Sequence, residues 1–270
     1  MALIRPFYEK PWPEALRPAA RALWHWHLAL RRPNVPTTEP EAVAAFLEEE
    51  AVRFQQDEPI QVVPEEVWRA AREAALQHEL PVELLAVQVR AARVWVGPVR
   101  FPDAAALEAF LQDFAGAHGR LLARLAGVGT RFNDPQVNAL AAGFLLTDRL
   151  TRLPRDLAAD RLFIPMEDLE RAGVSVELLQ RGAGNPAVRR LLWKQVVRAQ
   201  EALARGRVLV HELPRRYARA LRREWLLTLE VLRTIERRDY DLWRGPVQLS
   251  RWQRLQVAYQ ARFSRVAFRT

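Results

Sequence analysis

An all-α fold is what this chain of 270 residues predicts, and three observations carry the expectation. Ala, Leu, Arg and Glu, all good helix formers, dominate the composition. Glycine is scarce at 11 residues, and stretches alternating in Val, Ile and Thr are few, so little in the chain favours strands. Apolar residues recur at spacings of three and four between proline and glycine breaks, the pattern of amphipathic helices. Half of the residues are apolar, and no repeat, linker or shift in composition divides them, so residues 1–270 read as one domain.

The elements follow from these breaks. Pro11 and Pro13 lead into a helix over 14–30, with Leu16, Ala19, Ala20, Leu23, Trp24, His27 and Leu30 on its apolar side. Arg32-Pro33-Asn34-Val35-Pro36 ends it. Thr38, with Glu41 three residues on, is the expected capping box of a helix running to Gln55. Residues 65–78 and 82–96 read as an antiparallel pair turning at Pro81 and closed by Gly97-Pro98. Asp103 is a good N-cap for a helix passing through Leu107, Phe110, Leu111 and Phe114 to Leu125. Small residues at 115–119 allow close helix approach or leave room for a ligand. The next helix starts at Asp134 or Pro135 and is kinked or ended at Pro154. Two short helices stop at Gly173 and Gly182, longer ones span 186–205 and 214–238, and a final one starts near Ser250. Trp24, Trp26, Trp68, Trp95, Trp193 and Trp225 fall on helices and are expected in the core. Trp243 and Trp252, beside Arg244, Arg251 and Arg254, suit a peripheral membrane contact instead.

Composition narrows the classes of function. The formal charge of +9 comes almost wholly from arginine, since Lys10 and Lys194 are the only lysines. The arginines are scattered along helices without an RNA- or DNA-binding motif, so no nucleic-acid partner is expected. With no cysteine there are no disulfides and no thiolate metal sites. The start lacks a secretory signal, and no apolar run approaches the roughly 20 residues that cross a bilayer, which predicts a cytoplasmic protein, at most touching the inner face of the membrane. Nucleotide loops, His-Glu-x-x-His and supported Ser/His/Asp arrangements are absent.

The most informative segment runs from Leu146-Thr147-Asp148-Arg149-Leu150-Thr151-Arg152-Leu153-Pro154-Arg155-Asp156 to Arg161-Leu162-Phe163-Ile164-Pro165. It resembles, without a gap, the second aspartate-rich motif of squalene and phytoene synthases, Asn-x-x-x-Asp-x-x-x-Asp followed by Arg-x-Tyr-x-Pro. Two further blocks agree in order and spacing. One is Leu80-Pro81, then Phe101-Pro102-Asp103 through Ala115-Gly116-Ala117-His118-Gly119 to Val128. The other is Ile235-Glu236-Arg237-Arg238-Asp239-Tyr240-Asp241 with Ser250-Arg251.

This resemblance implies a single-domain isoprenoid-synthase-like fold around a central cavity, in which two prenyl diphosphates are joined head to head. It also implies Mg²⁺, held between two aspartate clusters, because a hard cation wants carboxylate oxygens and the leaving diphosphate needs its charge neutralised. In this chain the aromatic lead Leu23-Trp24-His25-Trp26-His27 to the first cluster is kept, but Leu28-Ala29-Leu30-Arg31-Arg32-Pro33-Asn34 follows where the aspartates belong. In the second cluster Asp148 takes the asparagine position, Arg152 and Arg155 stand where acids are expected, and Asp156 keeps the last aspartate.

By resemblance, Asp148 and Asp156 are the catalytic candidates, Asp156 the remaining metal ligand, and His27, His118 and Phe163 the pocket residues. Arg152, Arg155 and Arg161 are candidates for binding diphosphate directly, as guanidinium forks suit phosphate oxygens. The plainer reading of Arg152 and Arg155 is a salt-bridge network with Asp148, Asp156 and Asp160 on one helix face. Of His25 and His27, two apart on a helix, one is expected to be buried and hydrogen-bonded rather than joined with the other on a metal. A cation at Arg152 repels Mg²⁺, since two unit charges about 4 Å apart already interact by roughly 4 kcal/mol at an effective dielectric of 20. The expectation is therefore a divergent member in which Mg²⁺-dependent condensation is lost or weakened. The alternatives are an active head-to-head prenyl transferase using Mg²⁺, or a non-catalytic assembly factor on the same fold.

Overall fold

A computed structural model describes residues 10–128, 134–182 and 184–263, and among these every regular element is helical. A single parallel bridge between Val99 and Arg161 is the one sheet-like pairing among the described residues.

The chain enters through a 3₁₀ turn, Glu14–Leu16, into α1, Arg17–Ala29. Helix α2, Pro40–Gln55, starts with Glu39 as its N-cap and proline in its first turn. The box expected at Thr38 does not form; Thr37 accepts from the Glu39 N–H instead, because Pro40 supplies a preset φ and needs no capped amide. Helices α3, Glu65–Gln77, and α4, Val82–Ala91, do turn at Pro81, and a 3₁₀ turn Ala92–Trp95 extends the second. Their main partners are not each other: α3 lies on α1, and α4 on α2.

Asp103 caps α5, Ala104–Leu111, by accepting from the Ala106 N–H at 2.8 Å. The helix then widens into a π-helical turn, Gln112–Gly116, before resuming as α6, Ala117–Leu125. Helix α7, Asp134–Thr151, ends where Pro154 forbids another α turn. Arg152 leaves helical geometry, and α8, Leu153–Ala158, follows.

Gly173 at φ +63° and Gly182 at φ +92° stop α9, Met166–Ala172, and α10, Val176–Gln180. Helix α11, Pro186–Arg205, is capped by Asn185 and passes through a 3₁₀ turn to the short α12, Leu209–Glu212. Helices α13, Arg215–Arg237, and α14, Arg251–Phe263, complete the chain.

Helix α7 is the hub, packed against α6, α11, α13 and the π turn. Glycines let it approach so closely: a Cβ on Gly143 would fall 2.7 Å from Leu203, and one on Gly116 would strike Asn138. The buried apolar side chains form one contiguous cluster running from Trp12 to Val257. Trp24, Trp26, Trp68, Trp95 and Trp225 are buried as expected, whereas Trp193 is 53 % exposed and departs from that expectation.

Candidate functional site

A cavity of about 150 Å³ lies between α1, α6, α7 and α13. Its wall is overwhelmingly apolar, formed by Trp24 of α1, Leu122 of α6, Leu140, Phe144 and Leu145 of α7, and Tyr217 and Leu221 of α13. The small residues Ala115 and Gly119, expected to give either close approach or space, do both. Gly119 abuts Val137, and both line the cavity.

Charge gathers where α1 and α7 end. Arg31, just beyond α1, donates to Asp148 Oδ2 at 3.1 Å, and Arg149 donates to the same oxygen at 2.6 Å. Arg152 Nε donates to Asp148 Oδ1 at 3.0 Å. Arg149 also reaches Asp156 at 3.2 Å, so one guanidinium joins both aspartates. Residues seven apart share a face of a helix, as Glu230 and Arg237 do within α13, and Arg149 and Asp156 keep that facing across the break after Thr151. Beneath the cluster, Arg31 lies 5.6 Å over the Trp95 ring, and Arg149 lies 5.2 Å over Trp95 and 5.3 Å over Phe163. These are cation–π distances in a largely dry setting.

The side chain of Asp148 is only 10 % exposed. Burial acts to raise its pKa, but Arg149 and Arg31 overcome that and hold the carboxyl well below the usual range. For Asp156 burial prevails over Arg149, aided by the nearby Asp148, and its pKa is raised. His27 is buried, with Nδ1 donating to Gln88 Oε1 at 3.2 Å and Nε2 facing Arg31 at 3.4 Å. His118 stacks on it with 4.3 Å between centroids. Burial, then each other and Arg31, push His27 well down; burial and Arg31 bring His118 to about 3. Both imidazoles are therefore neutral near pH 7. His25, the other member of the pair, is exposed.

The expected residues divide into those the fold unites and those it separates. Asp148, Asp156, Arg152, His27 and His118 converge around the cluster. Phe163 packs beneath it with Trp95, Phe101 and Phe110 rather than on the cavity wall. Arg161 donates to the Trp95 carbonyl at 3.1 Å and holds the bridge region. Arg155 stands on the exposed side of α8, away from the cluster. The salt-bridge network expected on one face forms only in part. Asp160, at φ +53°, lies beyond the helix and pairs with Arg100. Arg31, Arg149 and Glu224 are site residues that the motifs did not point to. Arg31 carried a signal, since it occupies the place of the first aspartate cluster.

Glu224 of α13 is 5 % exposed and lines the cavity. Burial, opposed only by Arg223, raises its pKa to about 7. It shares a second groove with Trp12, whose carbonyl accepts from Arg17 at the start of α1. Glu224 thus belongs to the cavity end remote from Arg31, with the length of α1, about 20 Å for 13 residues, between.

The described residues do not fit Mg²⁺. No three of their His, Asp or Glu side chains are grouped for a metal, and Asp148 and Asp156 already face guanidiniums. An ion that needs about six oxygens in octahedral array would meet three cations instead. The expected metal role of Asp156 accordingly finds no supporting ligand set.

Residues 12–253 match the family model described as squalene/phytoene synthase. Among curated relatives, a phytoene synthase of Thermus thermophilus is 35 % identical over 97 residues, 36 % of this chain and 33 % of that protein. A presqualene diphosphate synthase of Rhodopseudomonas palustris is 25 % identical over 162 residues, 60 % of this chain and 58 % of that one. These alignments thus span from a third to under two thirds of the relatives' lengths. The fold is similar to that of squalene synthase HpnC from Alicyclobacillus acidocaldarius, with a TM-score of 0.74 at 23 % identity and 89 % of each chain covered. It is also similar to a dehydrosqualene synthase in complex with ligand, with a TM-score of 0.74 at 16 % identity, covering 96 % of this chain and 93 % of that one.

Proposed function

The chain belongs to the squalene/phytoene synthase family, and from that premise we propose that it is a divergent member of isoprenoid metabolism whose Mg²⁺-dependent condensation of prenyl diphosphates has been lost. In this reading it keeps an apolar cavity for an isoprenoid chain and receives the phosphate end on arginine side chains. The observation that carries the proposal is the bond from Arg31 of the α1 end to Asp148 of α7. A fixed guanidinium stands where the family's two carboxylate clusters would share metal ions.

The chemistry follows from the charges. Arg31, Arg149 and Arg152 against Asp148 and Asp156 leave one positive charge in excess, close to an apolar chamber. A diphosphate can take the place of Asp148 on Arg152, which is 34 % exposed, and on Arg31 without a metal. Neutral His27 and His118 add no charge and keep the chamber wall beside Arg31 dry. Nothing in this arrangement supplies a strong electrophile to pull off the diphosphate, so binding is its natural outcome.

The test is calorimetric titration with a non-hydrolysable farnesyl diphosphate analogue in Mg²⁺ and then in EDTA. Binding that persists in EDTA and is lost in Arg31→Gln supports the proposal. Formation of a condensed product from farnesyl or geranylgeranyl diphosphate in the presence of Mg²⁺ overturns it. A second reading, a non-catalytic assembly factor, draws on the cavity itself. Trp12 and Trp24 help to narrow it to about 150 Å³, a volume at which an apolar protein cavity holds a molecule the size of benzene. No binding of the analogue in either condition, together with a partner recovered by pull-down, favours that reading.

A further inference from the structure

Helix α14 has two apolar faces, one packed on α13 and one largely exposed. Gln253, Val257 and Ala261, at i, i+4 and i+8, turn toward α13, where Gln253 donates to Glu230 at 3.0 Å. At about 100° per residue, Trp252, Leu255 and Tyr259 lie on the opposite side. They are 81 %, 61 % and 64 % exposed. Three large apolar side chains on the outer side of one 13-residue helix are far more than scattered surface residues would place there.

Toward the start of α13 the surroundings of this stripe are basic. Helix α14 carries Arg251, Arg254 and Arg262 and no acid. In the antiparallel neighbour, the first nine residues of α13 contain Arg215, Arg216, Arg219, Arg222 and Arg223 and no acid. Lys10 joins several of them along the groove between the two helices.

We propose that the outer face of α14, with the arginine-bearing half of α13, docks on an anionic lipid bilayer. Aromatic and leucine side chains enter the headgroup boundary while guanidiniums meet lipid phosphates, the division of labour of an interfacial helix. A second copy of this chain is the poorer occupant, because a two-fold contact would set one arginine rim against another. Nucleic acid is poorer too, since a leucine between the aromatic residues offers nothing for a base to stack on. The groove's inner wall, Trp12 and Glu224, is also wall of the cavity, so the docked face borders the chamber that suits a lipid-soluble chain.

Co-sedimentation of the full chain with vesicles tests the proposal. Vesicles of equal parts phosphatidylcholine and phosphatidylglycerol are expected to bind about tenfold or more tightly than phosphatidylcholine alone, with the gain reduced by salt. Trp252→Ser/Leu255→Ser/Tyr259→Ser, all at exposed positions, lowers that binding at least about tenfold with the thermal midpoint unchanged. Arg219→Gln/Arg251→Gln lowers it by about tenfold and serves if the triple variant fails to fold. Equal binding to both vesicle types, or binding untouched by the folded variants, overturns the proposal. So does finding that the stripe is needed for binding single-stranded RNA, or for self-association, while vesicles remain unbound.

Discussion

The two ends of the cavity bury the same chemical group and treat it in opposite ways. Asp148, with 10 % of its side chain exposed, stays charged because three guanidiniums surround it. Glu224, 5 % exposed, lies where burial outweighs the opposing pull of Arg223, and so holds its proton to about pH 7. Depth of burial is nearly equal, so depth does not decide ionisation; the partners do. The charged end can exchange an ion for a ligand's phosphate, while the other end behaves as an apolar wall below neutral pH.

The largest expected effect breaks the charged end. Arg149→Met strips Asp156 of its one ion-pair partner, and Asp148 of its shortest, among the described residues, and should cost about 3–5 kcal/mol of stability, the usual result of orphaning a buried charge. Adding Asp156→Asn should restore part of it. Denaturant unfolding of both variants checks this, and an unchanged midpoint in the single variant would show that the pair carries no weight.

Next in size is the opposite end. The pKa of Glu224 is raised in the folded chain, so the fold binds its proton more tightly than the unfolded chain does, and stability is lost as pH rises from the unfolded value of 4.5 through about 7. Glu224→Gln removes that loss. It should gain roughly 3 kcal/mol at pH 8 and almost nothing at pH 4. A gain independent of pH would mean packing, not ionisation, is responsible.

His118 gives a smaller effect of the other sign. Its depressed pKa means that the unfolded chain binds the proton first, so stability falls as pH drops below 6.5 toward about 3. Between pH 6.5 and 5.5 its share of the loss should be about 1 kcal/mol, and His118→Phe should remove that share while His27, whose pKa is also depressed, keeps its own. Smallest of all, Arg152→Gln removes the most exposed of the three guanidiniums on Asp148, leaving Arg31 and Arg149 in place, and should cost less than about 0.5 kcal/mol in stability, while weakening binding of the diphosphate analogue more than that. Equal losses in folding and binding would reduce Arg152 to a structural role.

The contrast also separates what could be read from the sequence from what could not. Helix order was legible because its signals are local: the Asp103 cap, the glycines at 173 and 182, and the prolines at 81, 154, 186 and 214 act within a few residues of themselves. The charged cluster was half legible. Asp148 and Arg152 are one turn apart, within reach of each other, but Arg31 meets Asp148 across 117 positions, and Arg149 reaches Asp156 across the break after Thr151. Arg155 looked equivalent to Arg152 by spacing, yet the break after Thr151 turned it outward. Glu224 carried an unused signal. It falls in the buried series Tyr217, Leu221, Glu224, Thr228 and Val231 at spacings of three and four, a series in which a carboxylate is out of place. The π turn left no trace in residue type.

That turn has a consequence for how the chamber can change over generations. A π turn holds one more residue than an α turn, so everything beyond Gln112–Gly116 is rotated by about 100° relative to an uninterrupted helix. His118, Gly119, Leu122 and Ala123 face the chamber because of this extra residue. Loss of a single codon within the turn would swing all four away at once and bring another set of side chains inward. The lining of this chamber is therefore open to wholesale replacement by one deletion, a larger step than any substitution can make.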